Sequence, residues 1–149
     1  MIIDLIINLV EVSVIIIVLR IFLINILGGI ADTFLFHEKW LKAIKFYRFL
    51  LILKPKDYEI YNRIGNAFAE NNELETSIVY YQKSIELNPI NYQSYKNLAL
   101  VYLDQAKHEK ALLYFQKALR FKHGFPFNEN SKNFFCQEID ETKDIPVIM

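Results

Sequence analysis

Two prolines, Pro55 and Pro89, lie 34 residues apart. The pattern of large and small residues between them recurs along the chain at the same interval. The pattern is a large residue, an aliphatic residue followed by a small one, and an aromatic residue, then a second small residue and a second aromatic. In the segment that ends at Pro89 these positions are Tyr61, Ile64, Gly65, Phe68, Ser77 and Tyr81. A period of this length is typical of stacked helical hairpins, none of which can bury its apolar face alone.

The same pattern recurs one interval before and one interval after this middle segment. Small residues at the repeated positions let two antiparallel helices approach closely, large ones fill the gaps around them, and proline starts the next helix. We therefore predict three hairpins, over residues 24–57, 58–91 and 92–125. The corresponding residues are Leu27, Ile30, Ala31, Phe34, Ala43 and Tyr47 in the first hairpin, and Tyr95, Leu98, Ala99, Tyr102, Ala111, Phe115 and Ala118 in the third.

Over about residues 24–125 this pattern resembles that of the tetratricopeptide repeat family. The resemblance implies an all-α fold, with three hairpins in a right-handed superhelical array after an apolar N-terminal helix. It also implies a chain that binds other proteins and is not an enzyme. The third repeat has His123 and Gly124 where proline is expected, and because glycine there can end a helix, we expect the array to end at this point.

The segment Val12 to Ala31 is about twenty residues long with a single charge, Arg20 near its middle, and such a length spans a hydrocarbon core of roughly 30 Å. A central arginine costs about 2.5–3.5 kcal/mol, which the many Ile, Leu, Val and Phe residues offset. The span can also be drawn from Ile2 to Ile24. We predict a membrane anchor over residues 1–23; the alternative is a very apolar first helix packed against a partner or against the repeats.

The flanking charges favour an uncleaved anchor over a signal peptide, because the start carries Asp4 and no small-x-small site follows the apolar stretch. Lysines and arginines follow the segment and none precedes it, so the repeats should lie on the cytoplasmic, or stromal, side. Gly28 and Gly29 lie in the predicted first helix of the first hairpin. The anchor either runs straight into this helix or breaks from it at these glycines.

Composition and motifs argue against several classes of function. Lys and Arg together number 17, as do Asp and Glu, so the basic excess of a nucleic-acid-binding protein is missing. We find no phosphate loop, paired-carboxylate signature or nucleophile elbow, and predict no catalytic residues, metal, cofactor or small-molecule substrate. His108 aligns with Trp40 and Leu74 and should pack, while Cys136 is interpreted as a structural or incidental thiol.

The family resemblance also implies a concave groove, lined by the first helix of each hairpin, in which ligands bind. Grooves that hold a terminal carboxylate use lysine and asparagine at fixed positions, but Asn62 stands at the first lysine position and a fourth hairpin is missing. We instead predict a face that hydrogen-bonds an extended peptide; the alternative is an ordinary solvated surface. Exposed Tyr58 and Tyr92, at the same repeat position, either add contacts to the peptide or pack between repeats. The predicted contact residues are Asn62, Arg63, Asn66, Gln93, Lys96 and Asn97.

Residues 126–149 form a tail with two interpretations. Ser131 can cap a short helix that turns Phe134, Phe135 and Ile139 toward the last hairpin, because a solenoid needs a cover over its final apolar face. The other interpretation is a flexible tail.

The layout as a whole is similar to that of the small membrane-anchored tetratricopeptide proteins of plastids and cyanobacteria that assist photosystem I assembly. This implies a scaffold that assists assembly or stabilisation of a membrane protein complex. Organelle import receptors and bacterial envelope proteins share the layout. Two alternatives stay open: a permanent accessory subunit of a large complex, and a soluble chaperone adaptor.

Overall fold

The computed structural model describes residues 2–122, with side chains from residue 7 onward. All the secondary structure of this part is helical, which confirms the predicted all-α class of three hairpins with an apolar N-terminal helix. The predictions for the tail, including Ser131 and Cys136, lie outside the described residues. The helices are α1 (Ile2–Phe36), α2 (Trp40–Leu53), α3 (Tyr58–Glu70), α4 (Leu74–Leu87), α5 (Tyr92–Asp104) and α6 (His108–Lys122).

The first compact unit, Met1–Pro55, contains α1 and α2. α1 is one uninterrupted helix, so the apolar segment runs straight into the first hairpin through Gly28 and Gly29. A Cβ added at either glycine would meet no atom of the described residues within 4 Å, so neither glycine is required for close packing. The structure thus answers the question that the glycines left open.

α2 packs antiparallel to the second part of α1. Ala31 is completely buried, the Phe34 and Phe46 rings stack with their centroids 5.3 Å apart, and the Tyr47 hydroxyl donates a hydrogen bond to the Asp32 carboxylate. These contacts lie between residues 31 and 47 and hold the two helices together near their turn. The apolar residues earlier in α1 are mostly exposed.

Arg20 marks the point at which α1 leaves the first hairpin. Its guanidinium donates a hydrogen bond of 2.7 Å to the carbonyl oxygen of Leu53, the last residue of α2. The final carbonyls of a helix have no partner within the helix and carry partial negative charge, so they suit a cation. The arginine therefore lies level with the end of the hairpin, and the part of α1 that precedes it extends past α2.

The second compact unit begins at Lys56 and contains α3 to α6 as two packed hairpins. The repeated small positions are buried here as predicted: Gly65, Ser77, Ala99 and Ala111 all lie at helix contacts. Helices α4, α5 and α6 share one apolar core. It consists of Tyr81, Ile85, Tyr95, Leu98, Ala99, Val101, Tyr102, Ala111, Tyr114 and Ala118.

The turn inside each hairpin has the same backbone conformation, with one residue at positive φ: Glu38 at 57°, Asn72 at 61° and Ala106 at 57°. Two backbone bonds close each turn; in the middle hairpin Asn72 N donates to Ala69 O and Glu73 N to Phe68 O. This is a Schellman ending, which usually has glycine at the left-handed position. The repeat spacing thus extends to the turns, although none of these three positions holds glycine.

Gly65 allows the closest contact between α3 and α4. A Cβ built on this residue would lie 2.7 Å from Cε1 of Tyr81 and 2.8 Å from its Cδ1, closer than real Cβ atoms approach. The Tyr81 ring therefore lies directly on the α3 backbone. Its hydroxyl reaches past the glycine and donates a 2.8 Å hydrogen bond to Oδ1 of the neighbouring Asn66.

We expect Gly65→Ala to lower the free energy of unfolding by about 1–3 kcal/mol, because overpacking outweighs the better helix propensity of alanine. Gly28→Ala is the matched control and should not destabilise, because the space around Gly28 is open. Native-state hydrogen exchange measures the change, in the α3 amides for Gly65→Ala and in the α1 amides for Gly28→Ala. In a protein that already carries Tyr81→Ala, Gly65→Ala should no longer lower the free energy of unfolding, because the ring that a Cβ would meet is gone. If Gly65→Ala still destabilised that protein, the Tyr81 ring would not be the cause.

Candidate protein-binding surface

Three of the predicted contact residues are asparagines that bond to one another where α3 meets α5. Asn97 Nδ2 donates to Asn66 Oδ1 at 2.8 Å and to Asn62 Oδ1 at 3.2 Å, while Asn97 Oδ1 accepts from Gln93 Nε2 at 3.3 Å. Asn62 and Asn97 are buried, and Asn66 is half-buried and also accepts from Tyr81. The asparagines therefore join the two helices, in addition to any contact with a partner.

A second group of polar side chains continues this network into the interior. Ser94 Oγ donates to Asn62 Oδ1 at 3.2 Å and lies 2.8 Å from Ser84 Oγ, which bonds to the Tyr58 carbonyl at 2.7 Å. Both serines are completely buried. The Ser84 and Ser94 hydroxyls thus both have hydrogen-bond partners, as buried polar groups usually do. The helices α3, α4 and α5 are connected by one chain of hydrogen bonds.

The other three predicted residues lie at the surface beside this network. Arg63 is exposed, and Gln93 and Lys96 are half-buried. Leu100, one turn after Lys96 on α5, is 43% exposed. The structure thus brings two basic side chains, amides and an aliphatic side chain together on the α3 and α5 side of the second unit. Such a mixture suits a peptide that carries both carboxylate and apolar side chains.

We expect Asn97→Ala to destabilise α5 by about 1–3 kcal/mol, because the two hydrogen bonds that join it to Asn62 and Asn66 are lost, each worth about 0.5–1.5 kcal/mol. Lys96→Ala, at the next position of the same helix, should change the stability by no more than about 0.5 kcal/mol. Hydrogen exchange of the α5 amides compares the two variants. Equal effects would mean that the asparagine network contributes nothing to the packing of α3 against α5.

Two tyrosines of this unit have strongly perturbed acidity. Burial, with a smaller contribution from the Glu70 charge, raises the pKa of Tyr81 well above its usual range. Burial, and then the neighbouring Tyr114, raises the pKa of Tyr102 to about 12. Burial thus keeps both phenols in the neutral form, and the Tyr81 hydroxyl donates a hydrogen bond to Asn66.

The raised pKa of Tyr102 predicts a loss of stability in alkali. Above about pH 10 the unfolded chain releases the phenol proton of Tyr102, whereas the folded chain keeps it. The free energy of unfolding therefore falls as the pH rises from about 10 toward 12, and below pH 10 Tyr102 does not lower it. Tyr102→Phe should make the decline between pH 10 and 12 shallower, without abolishing it, because Tyr81 acts in the same direction. Urea unfolding at several pH values measures this; an unchanged decline would contradict it.

Sequence reasoning missed the two serines and misjudged His108. The signal for the serines was available: Ser94 aligns with Ile60 and Ser84 with Ala118, so polar residues replace apolar ones in two adjacent helices. The prediction that His108 packs is wrong, because its side chain is exposed at the first position of α6. Its polar ring stays in water where the aligned Leu74 is half-buried.

A correction also applies to the two tyrosines predicted to be exposed at the start of α3 and α5. Tyr92 is 40% exposed, but Tyr58 is half-buried. The Tyr58 carbonyl is also held by Ser84, at the start of α3. The two aligned tyrosines therefore have different environments, and Tyr92 is the more accessible of the two.

Comparison with protein families identifies the repeats. Two models, both described as tetratricopeptide repeat, match residues 58–91 and 80–113. Residues 58–113 are therefore tetratricopeptide repeats, a class of helical hairpin that binds other proteins. Comparison with curated proteins gives no match.

Solved structures with the same fold include MamA and the Sgt2 TPR domain from Aspergillus fumigatus. A MamA crystal structure is 26% identical, with a TM-score of 0.62, over 68% of this chain and 60% of that chain. The Sgt2 domain is 16% identical, with a TM-score of 0.64, over 80% of this chain and 81% of that chain. The chain thus spans less than two thirds of the length of MamA, and the likeness to Sgt2 shows the fold alone.

Proposed function

We propose that this protein is a membrane-anchored, non-catalytic scaffold that binds a partner protein on the α3–α5 surface and assists assembly or stabilisation of a membrane complex. The observation that carries the anchor is the exposure of α1 before Arg20, where most of the described side chains are large, apolar and at least half exposed. Such a patch is costly for a soluble protein to leave in water, whereas a bilayer covers it.

The length of this part of α1 supports the same proposal. Residues Ile7–Phe36 are long and apolar enough to cross a membrane, although a core helix or a signal sequence passes the same test. At about 1.5 Å per residue, residues 2–23 extend about 33 Å, the thickness of a hydrocarbon core. With the span at 2–23, Arg20 lies near its end and not at its centre, so the arginine costs less there.

Alkaline carbonate extraction of membranes tests the anchor. We expect the full-length protein to stay in the pellet and a version lacking residues 1–23 to become soluble. A sharper variant is Val14→Arg, which places a charge near the middle of the span at a cost of about 2.5–3.5 kcal/mol. Ile90→Arg is its control, because Ile90 is exposed in the second unit. Extraction of the full-length protein would instead favour an accessory subunit whose apolar N-terminus packs on a partner.

The partner is proposed to lie across α3 and α5, in contact with Arg63, Gln93, Lys96 and the aliphatic Leu100. The positive charges of Arg63 and Lys96 favour an acidic segment of the partner. The half-buried Asn66 uses its Oδ1 as an acceptor within the asparagine network. Its Nδ2 can then donate to a backbone carbonyl of the partner. In this proposal the asparagines have two roles, because they also fix the spacing of α3 and α5.

Site-specific crosslinking in cells tests this surface. A photoreactive residue at Leu100 should crosslink a membrane-complex subunit, and the same residue at Val79, which is 62% exposed on α4, should not. Arg63→Glu with Lys96→Glu should abolish the crosslink from Leu100. Crosslinking from Val79 alone would move the partner to another face of the repeats.

Two finer parts of the proposal rest on the sequence alone. The repeats are proposed to lie on the cytoplasmic, or stromal, side, because basic residues follow the anchor. A role in photosystem I assembly rests on the layout of anchor and repeats; neither the family models nor the structural neighbours support it, so it stays a prediction.

A further inference from the structure

The end of the first hairpin from which α1 emerges has an unusual composition. It consists of the guanidinium of Arg20, the last turns of α2 and the residue after them. Basic and apolar side chains lie side by side here, and all of those that follow are exposed: Arg48, Phe49, Ile52 and Lys54. Ile52 is 74% exposed and Phe49 is 47% exposed, which is high for large apolar residues.

The first hairpin is basic, and its positive excess is largest at the end from which α1 emerges. Residues 20–55 contain six basic and two acidic side chains, a net charge of +4 in a chain whose total is zero. Both acidic residues, Asp32 and Glu38, lie toward the turn between α1 and α2, together with Lys39, Lys42 and Lys45. Asp32 is bonded there to Tyr47. Arg20, Arg48 and Lys54 lie toward the opposite end, where Arg20 reaches the last carbonyl of α2.

We propose that this end of the first hairpin, defined by Arg20, Arg48, Phe49, Ile52 and Lys54, docks on the anionic lipid headgroups of the membrane that α1 enters. The inference rests on the proposed insertion of α1, which brings the surface to the bilayer. Basic side chains bind the negative surface of a bilayer, and exposed apolar side chains beside them enter its interface. The hydrogen bond from Arg20 to Leu53 keeps the end of α2 at the depth at which α1 leaves the membrane.

Docking would have a mechanical consequence for the first hairpin. A single helix leaves the domain that it anchors free to tilt, whereas a second contact at the end of α2 would hold the first hairpin upright on the bilayer. The contact would be electrostatic in strength and sensitive to salt, because surface charges are screened over about 10 Å at ordinary ionic strength.

The protein offers a natural fluorescent control, because Trp40 is its one tryptophan and begins α2. It lies about 20 Å from the other end of that helix. The probe is therefore full-length protein with Trp40→Phe and Ile52→Trp, placed in nanodiscs whose lipids carry a nitroxide near the headgroup. Quenching of the tryptophan at position 52 reports how often this position touches the headgroup region of the bilayer. Quenching of Trp40, in the protein without these two substitutions, reports the same for the opposite end of α2.

We expect position 52 to be quenched more strongly in discs that contain phosphatidylserine than in discs of phosphatidylcholine alone, with Trp40 little quenched in either. Salt at about 1 M, where the screening length falls to about 3 Å, should remove the difference. Arg48→Gln and Lys54→Gln should each lower the ratio of docked to undocked protein in anionic discs about fivefold. Lys107→Gln with Lys110→Gln, in the second unit, is the matched control and should change nothing.

The outcomes separate this inference from the proposed anchor. Protein that elutes apart from the discs overturns both. Protein that elutes with the discs and shows equal quenching at position 52 with and without phosphatidylserine overturns the headgroup contact and leaves the anchor intact. Circular dichroism of the Arg48→Gln and Lys54→Gln variants checks that they fold, and the salt dependence of the Ile52→Trp protein tests the contact without either charge variant.

Discussion

Tyr81→Ala should lower the free energy of unfolding of the second unit by about 3–5 kcal/mol, one of the two largest effects that we expect from a single substitution in this chain. The side chain is 2% exposed, so its removal leaves a cavity between α3 and α4 that the small Gly65 cannot fill. The substitution also removes the hydroxyl that bonds to Asn66, which holds α3 against α5 through Asn97.

Tyr81→Phe separates the two contributions. It keeps the ring on Gly65 and removes only the hydrogen bond to Asn66, so it should cost about 0.5–1.5 kcal/mol. Urea unfolding of the detergent-solubilised full-length protein, followed by hydrogen exchange of α3 and α4, measures both variants. If the phenylalanine variant lost as much stability as the alanine variant, the hydrogen-bond network and not ring packing would hold this contact.

Leu98→Ala should cost about 2–5 kcal/mol, because the side chain is completely buried in the core shared by α4, α5 and α6. Leu100→Ala, further along the same helix, should change stability by no more than about 0.5 kcal/mol, because Leu100 is 43% exposed. Both variants remove a leucine side chain from α5, and they differ in whether that side chain is buried or exposed. Urea unfolding of the two variants measures the difference, and equal losses would contradict the burial that separates them.

In partner binding the order of the two leucine variants should be reversed: Leu100→Ala should weaken binding, and Leu98→Ala should not. Leu100 lies on the proposed protein-binding surface, so its truncation should weaken binding of a partner while the repeats stay folded. Leu98→Ala should affect binding only through loss of folded protein, as seen when binding is compared at temperatures at which the variant is fully folded. A Leu100→Ala variant that binds its partner normally would remove this residue from the surface.

Much of the fold could be predicted from the sequence because its signals are local and repeated. The interval between Pro55 and Pro89, with small residues at Gly65 and Ser77, predicted hairpins whose helices approach closely, and these residues do lie at the helix contacts. The turns escaped prediction. Glu38 and Ala106 adopt positive φ without being glycine, because the helices on either side hold the turn in place.

The candidate surface was predicted less completely, for a physical reason. Sequence placed Asn62, Asn66 and Asn97 on one side of the repeats, but their bonds to one another join residues 31 to 35 positions apart. Whether an amide bonds to a neighbouring helix or remains for a ligand depends on the distance between helices to within about half an ångström. A repeat pattern does not carry that information, and peptide binding by all six predicted residues stays a prediction.

The sequence by itself determined the helical class, the three hairpins and the apolar character of the N-terminal helix, because each follows from the spacing and size of residues along the chain. Only the tertiary structure decided that α1 runs unbroken through Gly28 and Gly29, and that Arg20 bonds to the end of α2. The bond from Arg20 to Leu53 joins two groups that are 33 residues apart in the chain. Helix packing brings them together, and local propensity does not specify it.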